Sequence, residues 1–360
     1  MSRVFEEILG LLDKRVGFSD LHLKEGAPMK LRAPRGLVAI NEARLDEGDM
    51  SQLLDRLAKS ALTIHWRELM MSPTYGGQID FATSIGDVRF RCNAYFFGGR
   101  RLGLVMRRIQ ATIPAIAQLG LPESIIRLTN VSSGLILTTG ATGSGKSTTQ
   151  AAMINNINKT EAVKIITLED PVEYLYQDAK ADIVQREIGP GKDADNFSVA
   201  LRAALREDPD VIMVGELRDA ETADMVLKAA ETGHLVFATM HTRNAERTVS
   251  QLLSLFPAES RDQSREKLSA SLLGVISQVL VPSIDGLRKH LAYEVMLNTM
   301  SISSLIRENK MQQLRNTIDQ GSREGMCLLN TRLRALVSEN KISQEDALAM
   351  SYDQQEFLQG

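Results

Sequence analysis

The sequence predicts an α/β protein: a mainly parallel sheet behind a phosphate-binding loop, with a small α+β domain before it and a helical region after it. Three observations carry this expectation. Residues 134–150, GLILTTGATGSGKSTTQ, place an apolar run directly before a glycine-rich loop and a helix-forming stretch. Strand and helix patterns then alternate down to about residue 298, as a parallel sheet requires. Residues 1–110 instead show period-two apolar alternation between turn signals, the mark of an antiparallel sheet.

The chain opens with MSRVFEEILGLLDKRV, apolar residues at helical spacing with charges between them. That pattern predicts a short amphipathic helix rather than a signal peptide. In SDLHLKEGAPMKLRAPRGLVAI, the apolar residues Leu21, Leu23, Met29 and Leu31 alternate with polar ones as in strands. A polar helical stretch is expected around 48–72. Strands over GQIDFATSIGDVRFRCNAYFFGGRRLGLVMRRI follow, broken by Ile-Gly-Asp and Gly-Gly turns. Residues 1–110 thus read as one α+β domain. The two prolines and the glycine of QATIPAIAQLGLPESI predict a linker over 111–129.

Gly134–Gly140 reads as a buried strand. Gly140-Ala141-Thr142-Gly143-Ser144-Gly145-Lys146-Ser147, continued by Thr148, fits G-x-x-x-x-G-K-[ST]. The glycines let backbone N–H groups turn inward around phosphate oxygens. Lys146 reaches the β/γ-phosphates, and the Ser147 hydroxyl is placed to ligate Mg²⁺. A helix over KSTTQAAMINNINK adds its N-terminal dipole. ATP with Mg²⁺ is the expected ligand. Beyond the loop, VKIITLE, DVIMVGE and HLVFATM read as strands, and NFSVALRAALRE and AETADMVLKAAETG as helices. The core is expected over 130–298. Residues 299–360 look all-helical, with Ile302, Leu305 and Ile306 on one face and Arg307, Glu308 and Lys310 beside them.

ATP hydrolysis needs a carboxylate to position water and positive charge for the transition state. Glu216 ends the strand DVIMVGELRD at the place of a Walker B acid, or it caps the next helix. The preceding position, where many such motifs carry a metal-facing Asp, is Gly215. Glu169 and Asp170 end KIITLEDPVEY on the same rim, or form a solvated turn. His234 and His241 bracket HLVFATM, seven residues apart and so on opposite faces of an ideal strand, where they share no metal. His241, at the carboxyl end, is the candidate γ-phosphate sensor. His234 is structural or faces an interface. Arg89, Arg91, Arg100, Arg101, Arg107 and Arg108 form either a solvated strand face or a source of arginine fingers.

The bulk composition narrows the classes. A net charge of −3 argues against a generic grip on DNA or acidic membrane. Cys92 and Cys327 offer neither a disulfide framework nor zinc spacing. No run approaches the length that spans a bilayer, so a soluble, cytoplasmic protein is expected, meeting membrane only through partners.

With these motifs assembled, the chain resembles the type IV pilus retraction ATPases, the PilT and PilU group of the secretion-ATPase superfamily. The resemblance rests on SDLHLKEGAPMKLR, VRFRCNAYF, GATGSGKST, ITLEDPVEY, LREDPDVIMVGELRD and AETGHLVFATMHT. It implies a PAS-like N-terminal domain on a RecA-like core, assembled into a homo-hexamer. It further implies Glu216 as catalytic carboxylate, Glu169 as Asp-box acid, His234 and His241 as His-box residues, and Arg91 and Arg107 as phosphate-reaching arginines. Assembly ATPases carry a four-cysteine insert that has no counterpart here. GATGSGKS, LVPSIDG, EVMLNT and NKISQEDALAMSYD look closer to PilU than to PilT. The implied function is pilus retraction at the inner membrane, with a platform protein and a paralogous retraction ATPase as partners and no direct nucleic acid. The other readings are a secretion or conjugation ATPase moving protein or DNA–protein substrates, and a nucleotide-gated accessory subunit.

Overall fold

The computed structural model describes residues 3–14, 18–33, 36–59, 61–109, 112–189, 192–286 and 288–359. The expected domain boundary at 110/111 lies outside them. The chain forms two compact units. The first is Met1–Thr112 with Asp170–Leu175 and Glu187–Asn196; the second is Ile113–Glu169, Tyr176–Arg186 and Phe197–Gly360.

The first unit carries six strands: β1 (Asp20–Lys24), β2 (Pro28–Ala33), β3 (Gly36–Arg44), β4 (Gln78–Ile85), β5 (Val88–Phe97) and β6 (Arg101–Arg108). They pair antiparallel in the order β3-β2-β1-β6-β5-β4. Period-two alternation sorts β5 into two faces. Phe90, Cys92 and Ala94 are buried, while Arg89, Arg91 and Asn93 are half-buried on the other face. The buried face packs with Leu53, Leu54, Trp66 and Phe81. The helical stretch expected over 48–72 is two helices, Glu47–Ala58 and Trp66–Met71. A capping box between Asp46 and Asp49 starts the first, and the His65 ring caps the second by accepting from the Arg67 N–H. β-branched Thr63 and Ile64, poor helix formers, lie in the break.

The second unit carries β7 (Gly134–Thr139), β8 (Lys164–Glu169), β9 (Asp182–Glu187), β10 (Val211–Val214), β11 (Leu235–Met240), β12 (Leu272–Pro282) and β13 (Lys289–Leu297). Their order is β13-β12-β7-β11-β10-β8-β9. Pairing is parallel from β12 to β8 and antiparallel between β12 and β13. Every residue of β7, β10 and β11 is buried, which explains their near-continuous apolar sequences. One strand, β11, separates the P-loop strand β7 from β10, so three carboxyl ends converge on one rim.

The second unit departs from the sequence expectation in two places. The segment expected as a linker is part of the core: Ile116, Leu121 and Ile125 pack with Ile136, Ile154 and Phe237. Its prolines and glycine punctuate short helical turns at Ile116–Leu119 and Glu123–Arg127 rather than a free connector. The strands β9, β12 and β13 were not singled out by pattern. The C-terminal helices pack onto this sheet, as their apolar positions imply: Leu329, Leu333, Leu336, Ile342 and Phe357 close over Val281 and Ala292 of the β12–β13 hairpin. No helix among the described residues is long and apolar enough to cross a membrane.

Candidate functional site

The P-loop sits between the end of β7 and the helix Lys146–Thr160, whose N-cap, Gly145, provides no side-chain cap. A helix N-terminus directly after the glycines favours an anion there. Gly140 adopts φ +143°, and a Cβ there would stand 2.4 Å from the Gln278 carbonyl oxygen and 2.5 Å from Ser144 Oγ. Only glycine lets the loop pass this closely. Lys146 is buried, and its Nζ donates to the carbonyl oxygens of Gly140 (2.8 Å) and Ala141 (3.1 Å). Ser144 Oγ is buried with no hydrogen-bond partner. A buried ammonium on the loop's own carbonyls, an orphaned hydroxyl and a helix N-terminus directly after the glycines suit a polyphosphate. Ser147 begins the helix half-buried beside Lys146.

Glu216 follows β10 and is largely shielded, with its side chain 19% exposed. Its Oε2 accepts from Arg218 Nη2 at 2.6 Å, and its Oε1 lies 3.3 Å from His241 Nε2. Burial opposes the charged form, but the Arg218 hydrogen bond and charge, with His241, outweigh it and hold the carboxyl below its usual range. His241 Nδ1 stands 3.5 Å from Lys146 Nζ. An ammonium only donates and a carboxylate only accepts, so the ring's Nδ1 faces a donor and its Nε2 faces an acceptor. Lys146, His241 and Glu216 thus form one line across the ends of β7, β11 and β10.

Gly215 has a packing reason. Its N–H donates to the Leu168 carbonyl (2.8 Å), and a Cβ would meet that oxygen at 3.1 Å and the Phe197 ring at 3.4 Å. The Thr239 hydroxyl also donates to the Gly215 carbonyl, fixing the turn that presents Glu216. Glu169 is buried at the end of β8, accepting from Thr167 Oγ1 (2.7 Å) and Gln185 Nε2 (3.2 Å).

The other predicted residues lie elsewhere. His234 sits at the amino end of β11, where its Nδ1 donates to the Ala229 carbonyl at 3.0 Å and closes the end of the helix Ala220–Glu231. Arg91 and Arg107 belong to the first unit, directly opposite each other on β5 and β6. Arg91 lies 4.0 Å from Glu173. Arg107 Nε donates to buried Asp20 at 2.8 Å, and Arg89 binds Glu187 at 2.9 Å. Burial opposes ionisation of Asp20, yet hydrogen bonds from Arg107 and Ser19 outweigh it and lower its pKa. Among the described residues no group of three or more His, Cys, Asp or Glu is placed to hold a metal ion.

Sequence reading missed Gln278, whose Nε2 donates to the Ser144 carbonyl at 2.9 Å and clamps the loop from β12. It also missed Arg218, although two residues from Glu216, and the buried hydroxyls of Thr242, Thr248 and Ser277. No local pattern marks Gln278, because only the pairing of β12 with β7 brings it to the loop.

Residues 74–358 match the family described as type II/IV secretion system protein. The type IV pilus retraction ATPase PilT of Pseudomonas aeruginosa is 41% identical over 95% of this chain and 96% of that protein. The type IV pilus ATPase PilU of the same organism is 35% identical over 96% of this chain and 88% of its own length. A crystal structure of the pilus retraction motor PilT with bound ADP superposes with a TM-score of 0.84 at 39% identity, covering 99% of both chains. Over the whole match, identity is thus higher to PilT than to PilU. The second unit is the RecA-like core expected from the sequence. The chain belongs to the type II/IV secretion system protein family and, within it, to the type IV pilus retraction ATPases.

Proposed function

We propose that this chain is an ATPase that couples hydrolysis to pilus retraction, working as a homo-hexamer at the cytoplasmic face of the inner membrane through a platform protein and beside a paralogous motor. The observation that supports this best is the line Lys146–His241–Glu216, with 3.5 Å and 3.3 Å between successive groups. It joins the phosphate-binding lysine to a shielded carboxylate over the loop where a terminal phosphate would lie.

The roles follow from the chemistry of each group. With ATP present, Lys146 exchanges the Gly140 and Ala141 carbonyls for β/γ-phosphate oxygens. A carboxyl held below the usual carboxylate range is ionised at neutral pH and a weak base. Glu216 therefore orients the attacking water by accepting its hydrogen bond, more than it removes the proton beforehand. His241 reports the terminal phosphate to Glu216 through its two nitrogens. Mg²⁺ would be held by the Ser147 hydroxyl, phosphate oxygens and waters, a donor set in keeping with that ion's preference for few protein ligands, and would neutralise phosphate charge. Glu169, buried at the end of β8, would hold water near that ion. Arg91 and Arg107 are the candidates for the further positive charge a phosphoryl transition state needs.

The test is phosphate release by the purified full-length chain with Mg–ATP, together with rescue of pilus retraction in cells lacking the gene. Lys146→Ala should abolish both. A chain that binds ATP without turnover, or a Lys146→Ala chain that still restores retraction, would overturn the motor reading.

A further inference from the structure

Four hydroxyls meet in the core beneath the P-loop. Thr139 ends β7 immediately before Gly140, Ser277 lies on β12, Thr242 follows His241, and Thr248 lies on the helix Ala245–Ser254. All four are buried, with exposures of 0%, 1%, 4% and 0% in that order. Thr242 and Thr248 are 2.6 Å apart, Thr139 and Ser277 are 2.8 Å apart, and Thr139 and Thr248 are 3.4 Å apart.

Proton accounting orders this cluster. Thr248 has one hydroxyl proton and gives it to the Asn244 carbonyl at 2.7 Å. Thr242 must therefore donate to Thr248, which fixes the rotamer and the backbone of the residue next to His241. The Ala245 N–H at the start of the same helix donates to Glu294 Oε1 at 2.8 Å, so the helix cannot slide to a new register without leaving buried groups unpaired. Satisfied hydroxyls would serve packing no better than valine would. The directional bond to Thr242 is what valine cannot supply.

We propose that Thr248 is a positioning residue for hydrolysis. Through Thr242 it holds His241 within reach of both Glu216 and Lys146, tying the His-bearing turn to the root of the P-loop. This rests on the hydrolysis reading given above. Thr248 touches no phosphate, so its loss should slow turnover without loosening nucleotide.

The experiment is steady-state hydrolysis of Mg–ATP by full-length Thr248→Val and Thr248→Ser, with unfolding midpoints measured alongside. Thr248→Val should lower kcat at least about tenfold, as misplacement of a catalytic array does, with KM within about threefold. Thr248→Ser, which keeps the hydroxyl, should return kcat to within about twofold of wild type. If Thr248→Val does not fold, Thr242→Val removes the same bond from the other side and should show the same split between kcat and KM. Wild-type kcat in a folded valine variant would overturn the proposal. So would a serine variant as slow as the valine one, since the methyl group and not the hydroxyl would then matter. A wild-type chain without turnover would sink the hydrolysis reading itself, and with it this role.

Discussion

His241 Nε2 lies 3.3 Å from Glu216 Oε1, although the two residues come from different strands and are 25 positions apart. The contact exists because β10 and β11 are parallel neighbours in register from Val211–Leu235 to Val214–Ala238, so their carboxyl ends finish at the same height. A histidine in contact with both the lysine and the carboxylate makes each dependent on the other's position.

Arg218 sets the acid limit of activity. It donates to Glu216 at 2.6 Å and offsets the burial that would otherwise raise the carboxyl's pKa. The wild-type rate should therefore fall only as pH drops below the usual carboxylate range, where Glu216 takes up a proton. Arg218→Gln removes the offset, so the acid limb of the kcat–pH profile should move to higher pH. The linkage has the same sign: stability gained from the depressed carboxyl is present above its unfolded pKa and lost as pH falls through the folded one. An acid limb that stays fixed or moves downward in Arg218→Gln would contradict this.

The two histidines should separate cleanly. His241→Ala breaks the line between Lys146 and Glu216 and should lower kcat at least about tenfold. His234→Ala loses one hydrogen bond at a helix end, costing about 1 kcal/mol of stability, and should leave kcat within about twofold. Parallel kinetics and urea unfolding on both variants check the pair. Equal kinetic losses would mean that His234 has a role its position at the amino end of β11 does not suggest.

Restoring the expected acid before Glu216 should harm the protein. Gly215→Asp would drive a Cβ to 3.1 Å from the Leu168 carbonyl, a backbone atom of β8 that cannot swing away. Overpacking of this kind costs about 1–3 kcal/mol, measurable as a lower urea midpoint at unchanged m-value. A Gly215→Asp chain as stable as wild type would show that β8 and β10 can part at no cost.

The difference between Gly215 and Glu216 shows how far the sequence was legible. Residues whose placement follows from local order were readable: the P-loop from strand, glycines and helix in succession, and the positions of Glu216, Glu169 and His241 at strand ends. The residues that support them were not. Gln278 and Thr248 reach the loop only through the pairing of β12 with β7 and the packing of the helix Ala245–Ser254, both long-range. The hairpin of β12 and β13 has no clean apolar signature because buried polar residues such as Gln278 and Glu294 interrupt its apolar pattern. The segment expected as a linker over 111–129 misled through its prolines, which stand at the start of short helical turns as readily as they mark a connector.

The C-terminal helices should separate chemistry from work. In the helix Met300–Arg307, Ile302 and Ile306 are fully buried, while Arg307 and Lys310 are exposed, with Lys310 2.6 Å from Glu308. Reversing charge at Arg307 and Lys310 together should leave ATPase activity within about threefold, a barrier change under roughly 1 kcal/mol. The same variant should fail to restore retraction in cells lacking the gene. Restored motility would refute a coupling role, and a collapse of hydrolysis would assign these residues to the catalytic core.

The most direct test of the account is Glu216→Gln, which keeps shape and hydrogen-bonding capacity while removing the charge that orients water. Phosphate release and ATP affinity should be measured together on the full-length chain. Release is expected to fall at least about 100-fold, while affinity for ATP stays within about threefold, because Lys146 and the loop amides are untouched. Release at the wild-type rate would transfer the role to Glu169 and contradict the account.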